Sequence, residues 1–228
     1  MSVVVYASAW PDTPPEFKKA AEKLGKLLAE NGHECVNGGG DMGGMGALNR
    51  SCREHGGKIK VVIHSKWCVD GQQYDLGDDG VTVAVNGPDL AERKRGLLQD
   101  ADAVIALPGG IGTMDEVCDV ACQKQLSFKG DIPICLVNVG GYFGGLLQQL
   151  RDGREKMLIS IDPDELIHSE STPEKALAYC VSYRAKASHA KEMAAEKGKV
   201  TPSSVPPSTM RIVMSISMLP VILSCYTW

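Results

Sequence analysis

Pro108-Gly109-Gly110-Ile111-Gly112-Thr113-Met114-Asp115-Glu116 follows the apolar run Ala103-Val104-Ile105-Ala106-Leu107 and opens a stretch with helical spacing. Strand, glycine turn and helix start therefore succeed one another, the step from which parallel α/β sheets are built. The glycines at 109, 110 and 112 let backbone N–H groups come close to an anion, and the positive end of the following helix adds to that attraction. The turn predicts a phosphate cradle. Neither the dinucleotide fingerprint G-x-G-x-x-G nor the Gly-Lys-Ser/Thr ending of a P-loop is present, which makes a dinucleotide or a nucleoside triphosphate a poor first choice. Glu116 lies three residues beyond Thr113, close to one helical turn, so its carboxylate can share the mouth of the cradle.

Working outward, short β-branched runs alternate with helical patterns. Strands are expected near residues 3–7, 34–36, 58–63, 103–107 and 132–137, with a short one at 166–169. Between the first two, Phe17, Ala20, Ala21, Leu24, Leu27 and Leu28 recur on one helix face, with lysines on the other. Pro14 and Pro15 suit its first turn, and Asn31-Gly32 its end. Further helices fit residues 44–54, 89–99, 112–125, 142–151 and 173–187. Residues 67–87, rich in Gly and Asp, read as one long loop. The fold class that follows is α/β: three layers, with a parallel sheet and helices on both faces.

A second glycine cluster, residues 38–46, follows the second strand and opens another helix, bringing Gly39 and Gly40 forward as ligand-facing backbone. Open α/β sheets bind ligands outside the C-terminal ends of their strands, so both turns are expected to face one crevice. Upstream of the motif strand stand Glu92-Arg93-Lys94-Arg95. Helical geometry spreads three successive cations around the axis, and at least one must be a solvated surface charge. A planar guanidinium suits a phosphate or a departing anion, which makes Arg93 the candidate if its helix turns it inward.

The chain has 228 residues, enough for one α/β domain, expected over residues 1–190, and a tail over 191–228. A formal charge of −4 argues against a general nucleic-acid binder. The eight cysteines are scattered, and the start has no basic stretch ahead of its apolar residues. These features predict no signal peptide and a cytoplasmic location. Cys118 and Cys122 share a helix face, but no further pair or neighbouring His completes a set of metal ligands, so no metal is expected. In the tail, residues 186–199 form a charged helical stretch and residues 201–208 a Pro/Ser linker. Residues 212–225 are apolar but interrupted by Pro220 and fall short of the roughly twenty needed to span a bilayer. No membrane association is expected.

The glycines with Met45-Gly46 in the second cluster, Arg93-Lys94, and Pro-Gly-Gly-x-Gly-Thr-x-x-Glu at 108–116 resemble, in order and spacing, the motifs of the LOG (Lonely Guy) family, once taken for lysine decarboxylases. The resemblance covers about residues 2–187. It implies a Rossmann-like fold, a homodimer as the active unit, and hydrolysis of cytokinin riboside 5'-monophosphates to free base and ribose 5-phosphate. It also implies acceptance of plain AMP and no cofactor. Carried over, it makes Arg93 and Glu116 catalytic and makes Lys94, Gly110, Gly112 and Thr113 substrate contacts, with Ser8, Gly39, Gly40 and Gly109 completing the substrate site.

The chain departs from the family pattern at three places. Leu90-Ala91 stand where the family has Met-His, Cys122-Gln123 replace Thr-Trp, and Tyr6-Ala7-Ser8-Ala9 keep only Ser8 of Cys-Gly-Ser-Ser. These changes fall on the base pocket and spare the ribose phosphate site. The same superfamily holds non-catalytic molybdenum-cofactor carriers, which lack the full Arg-Lys and glutamate set. A nucleotide-sensing module without turnover is the other alternative.

Overall fold

The computed structural model describes residues 1–68 and 80–198. The linker and apolar segment expected after residue 200, and residues 69–79 of the expected loop, lie outside them. The chain divides into a unit Met1–Ala190 and a second, Lys191–Trp228, and the first contains the sheet.

Seven parallel strands make that sheet: β1 (Ser2–Tyr6), β2 (Glu34–Asn37), β3 (Lys58–His64), β4 (Val81–Val85), β5 (Ala103–Ala106), β6 (Ile134–Val137) and β7 (His168–Glu170). Their order is β4-β3-β2-β1-β5-β6-β7. The helices are α1 (Pro15–Glu30), α2 (Gly43–Glu54), α3 (Ala91–Leu98), α4 (Ile111–Gln125), α5 (Gly144–Glu155), α6 (Pro163–Leu166) and α7 (Pro173–Gly198). The chain first builds outward from β1 to β4, then returns past β1 to lay down β5, β6 and β7 on its other side. The strand order thus reverses between β1 and β5, which pair directly from Val3 with Ala103 to Tyr6 with Ala106.

Strand alternation sorts the core into two layers. Val3, Val5 and Ala7 pack on one face with Leu24 and Leu28 of α1, Leu48 and Cys52 of α2, and Leu177 of α7. Val4 and Tyr6 pack on the other with Leu97 of α3, Val117 and Val120 of α4, and Phe143. The central strands are buried on both faces, which is why they read as unbroken apolar runs rather than alternating ones. Helices α1 and α2 approach so closely that a Cβ on Gly25 would stand 2.3 Å from the Leu48 carbonyl oxygen. Burial of one such core leucine stabilises the fold by about 2–5 kcal/mol relative to alanine.

The fold corrects the sequence reading at three places. Residues 67–87 are not one loop, because Val81–Val85 pair with β3 as an edge strand. That strand escapes a periodicity reading because only Val85 of its five residues is buried. The expected strand at 132–137 begins at Ile134, Pro133 having no N–H to give the ladder. The short strand at 166–169 shifts to His168–Glu170, because Asp162 caps and Pro163 opens a one-turn helix that takes Leu166. Among the described residues no helix is long and apolar enough to cross a membrane.

Candidate active site

The reversal point between β1 and β5 is where the glycine motif emerges. The Leu107 N–H donates to the Tyr6 carbonyl (2.8 Å) and the Ser8 N–H to the Pro108 carbonyl (3.3 Å), so the two strand ends leave the sheet side by side. At Gly109 the packing admits no side chain: a Cβ there would lie 2.1 Å from Thr113 Oγ1 and 3.0 Å from the Ser8 nitrogen. The Tyr142 hydroxyl, from just ahead of α5, donates to the Gly109 carbonyl and holds the turn from the far side. The Ser8 hydroxyl accepts from the Trp10 N–H (3.1 Å) and shares a hydrogen bond with the buried Thr13 hydroxyl (2.8 Å).

Gly110 is the N-cap of α4, with no side chain capping the helix. The first N–H groups of an α-helix have no partner within the helix, so this end is open to an anion. Beyond the adjoining turn of chain, no atom of the described residues lies within 4 Å of where a Cβ on Gly110 or Gly112 would stand, and Ile111 between them is exposed. The cradle expected from the sequence is therefore an uncapped helix start facing open space, with Thr113 buried at its floor.

One turn into α4, Glu116 meets Arg93. Arg93 Nη1 donates to Glu116 Oε1 at 3.0 Å, and both side chains are nearly buried, 12% and 11% exposed. Arg93 Nε donates to the Val62 carbonyl at the end of β3 (3.1 Å), which fixes the guanidinium plane. The other end of the guanidinium rests on bare backbone, since a Cβ on Gly38 would fall 1.9 Å from Arg93 Nη2. Burial pushes the Glu116 carboxyl above its usual range, and the charge and hydrogen bond of Arg93 only partly offset this. Beneath them Tyr6 stays a neutral phenol, pushed up first by its own burial and then by the charge of Glu116.

Lys94 points the other way along α3, pairing with Asp115 (3.2 Å) and Asp119 (3.5 Å) of α4. It ties the two helices together and does not line the crevice cavity. Arg95 is the exposed, solvated cation.

The second glycine cluster forms the opposite wall. A buried amide pair that sequence reasoning missed holds it: Asn37 Nδ2 donates to Asn49 Oδ1 (2.7 Å). Asn37 Oδ1 accepts the Gly39 N–H (2.9 Å), and Asn49 Nδ2 donates to the Gly40 carbonyl (3.3 Å). Buried polar groups paired in this way fix one loop conformation. The signal was available in the sequence, as two asparagines twelve positions apart on otherwise apolar faces. Gly39 sits at φ 79°, and a Cβ there would strike Val61. Gly39 and Gly40 line a cavity of about 450 Å³ together with Ala9, Met45, Trp67 and Arg93. Trp67 was not singled out from the sequence. Among the described residues no group of three or more His, Cys, Asp or Glu is placed to hold a metal.

Fold and site together define a Rossmann-like α/β protein with a buried arginine–glutamate pair at the topological switch point. Residues 45–180 match the family described as "Possible lysine decarboxylase". The chain belongs to this family, the LOG family. It is similar to the cytokinin riboside 5'-monophosphate phosphoribohydrolase of Mycobacterium marinum, 36% identical over 154 residues, 66% of this chain and 79% of that protein. It is also similar to the cytokinin riboside 5'-monophosphate phosphoribohydrolase LOG of Oryza sativa subsp. japonica, 32% identical over 173 residues, 75% of this chain and 68% of that one. Among solved structures, the molybdenum cofactor carrier protein of Chlamydomonas reinhardtii superposes with a TM-score of 0.58 at 20% identity, covering 80% of this chain and 97% of that one. That likeness is one of fold.

Proposed function

We propose that this protein hydrolyses the N-glycosidic bond of a purine or cytokinin nucleoside 5'-monophosphate, releasing the free base and ribose 5-phosphate. One observation carries the reading: the buried Arg93–Glu116 pair stands between an uncapped helix start and a cavity roomy enough for a base. The 5'-phosphate would sit on the N–H groups at the start of α4, above Gly109 and beside Thr113. The ribose then lies over Glu116 and the base enters the cavity.

Breaking the C1'–N bond builds positive charge on the ribose ring while the electron pair leaves with the base. The Glu116 carboxylate stabilises that charge, and water supplies the oxygen that bonds to C1' while its proton goes to the departing base. Arg93, locked by Val62 and Glu116, presents a fixed guanidinium toward the departing base. This chemistry asks nothing of a cofactor. A binder or carrier with the same fold would have no need of a buried ion pair at this point, whose desolvation is costly. Lys94 acts through α4, keeping the cradle helix in register with Arg93.

The active unit in this reading is a homodimer in the cytoplasm. Leu126 and Phe128, just after α4, are apolar and exposed and would be covered by a second copy. The unit Met1–Ala190 contains every residue assigned a role and is the domain proposed to carry the activity. Incubation with AMP and with isopentenyladenosine monophosphate, followed by chromatography, tests the reading. Free base and ribose 5-phosphate are expected, whereas tight binding without base release would make the protein a carrier or sensor.

A further inference from the structure

The cavity beyond Arg93 has an apolar wall whose largest member is Trp67. This residue ends a three-residue 3-10 turn, Ser65–Trp67, that springs directly from β3. Although 41% exposed, it is held in place. The His64 ring meets it edge-on, with centroids 5.9 Å apart and planes at 72°. His64 is itself clamped: the Lys66 N–H donates to Nδ1 (3.0 Å), which leaves Nε2 to donate to the Gly87 carbonyl (2.7 Å). The Arg93 guanidinium carbon stands 5.7 Å from the indole centroid. That separation is near the outer limit of about 6 Å for a cation–π contact. The indole therefore borders the cavity in a fixed orientation, next to the arginine that pairs with Glu116.

We propose that Trp67 is the surface against which the purine base stacks, a specificity-determining contact that rests on the hydrolase reading above. The argument is chemical. Of the three parts of a nucleoside monophosphate only the base has a π face, and the glycine turns and the Arg93–Glu116 pair account for the polar remainder. Met42, Met45 and Ile63 extend that apolar wall to suit a base, while Asp41 and Arg93 form the charged part of the lining. Gln123, standing where an aromatic wall was expected from related sequences, borders a different depression with Lys94 and Phe128.

Wild type, W67A, W67L and W67F are compared for AMP turnover, AMP affinity by calorimetry, and inhibition by ribose 5-phosphate. W67A and W67L should raise the Kd and KM for AMP roughly 5- to 100-fold, the range for loss of one base–aromatic stack. W67F should restore most of the loss, with inhibition by ribose 5-phosphate unchanged throughout. An unchanged AMP Kd in W67L, or an equal loss of ribose 5-phosphate inhibition, overturns the proposal, the latter by showing a merely structural role. If wild type releases no base yet AMP affinity follows the expected series, the hydrolase reading fails and the role of Trp67 stands. Failure of wild type to bind AMP overturns both.

Discussion

Arg93 and Glu116, 23 positions apart on different helices, are joined by a 3.0 Å hydrogen bond whose carboxylate is held above its usual pKa by burial despite the facing guanidinium. Desolvation outweighs attraction in this pair. A site evolved for stability alone would gain little from such an arrangement, since apolar residues of similar volume serve as well or better. In the proposed hydrolase its use is to present two opposite charges, already stripped of water, to the substrate.

Glu116→Gln keeps the shape and an acceptor for Arg93 while removing the charge. The variant should fold and bind AMP, and lose roughly 100-fold or more in turnover, as expected for a main electrostatic contributor. Near-wild-type base release by E116Q would remove Glu116 from the chemistry.

The direction of the Glu116 shift fixes two pH effects. Activity that needs the ionised carboxylate should show an acid limb in kcat/KM above the ordinary carboxylate range. For stability, a raised folded-state pKa means that the native state holds its proton more tightly than the unfolded chain does. Stability from this group is therefore full below the unfolded value and lost as pH rises through the folded one. Wild type should accordingly gain thermal stability relative to E116Q on acidification from neutral pH, and a Tm difference that does not vary with pH would contradict this.

The glycines of the motif should divide by role. Gly109→Ala forces a Cβ against Thr113 and the Ser8 backbone, and should cost about 1–3 kcal/mol. For a domain of this size that lowers Tm by several degrees. Gly110→Ala meets no atom of the described residues beyond its chain neighbours and keeps backbone angles any residue adopts. It should melt like wild type and bind AMP more weakly, because only a ligand would meet the new methyl group. Unaltered AMP affinity in G110A would place the phosphate elsewhere.

Asn49→Ala leaves the buried Asn37 Nδ2 with only a weak 3.5 Å contact to Cys35 Sγ and releases the Gly40 carbonyl. A loss of about 1–3 kcal/mol is expected from the unmet donor. The KM for AMP should rise as the glycine wall loosens. Thermal melting and steady-state kinetics on one preparation would show whether the two effects travel together.

A chain truncated after residue 199 should remain a soluble dimer with unchanged AMP turnover, since every residue assigned a role lies in Met1–Ala190. Sizing chromatography and the base-release assay decide this. An insoluble or inactive product would mean that the apolar segment at 212–225 belongs to the folded domain.

The parallel sheet was legible because its central strands are apolar on both faces and its helices carry amphipathic stripes, as α1 does with Ala20, Leu24 and Leu28 inward. The glycine motif was legible for a different reason: Gly109 sits where no side chain fits, and Gly110 and Gly112 leave the start of α4 bare, with Glu116 following at helical spacing. Which of Arg93, Lys94 and Arg95 faces the crevice could not be read locally. The phase of α3 is set by Leu97 and Leu98 entering the core, a tertiary fact. Edge strand β4 was hidden because it buries little, and Trp67 because a lone tryptophan after a strand looks the same whether it packs in the core or borders a cavity.

The direct pairing of β1 with β5 has a consequence for synthesis. Val3 finds its partner Ala103 only after about 100 further residues have been made, roughly 5–20 s at ordinary translation speeds. During that interval one edge of a strand with the apolar run Val3-Val4-Val5 has no neighbour, the condition under which strands pair with other chains. The crevice, the cradle and the pair that spans them all wait on the same late docking. A nascent chain halted before residue 103 should therefore be aggregation-prone and empty of function at once.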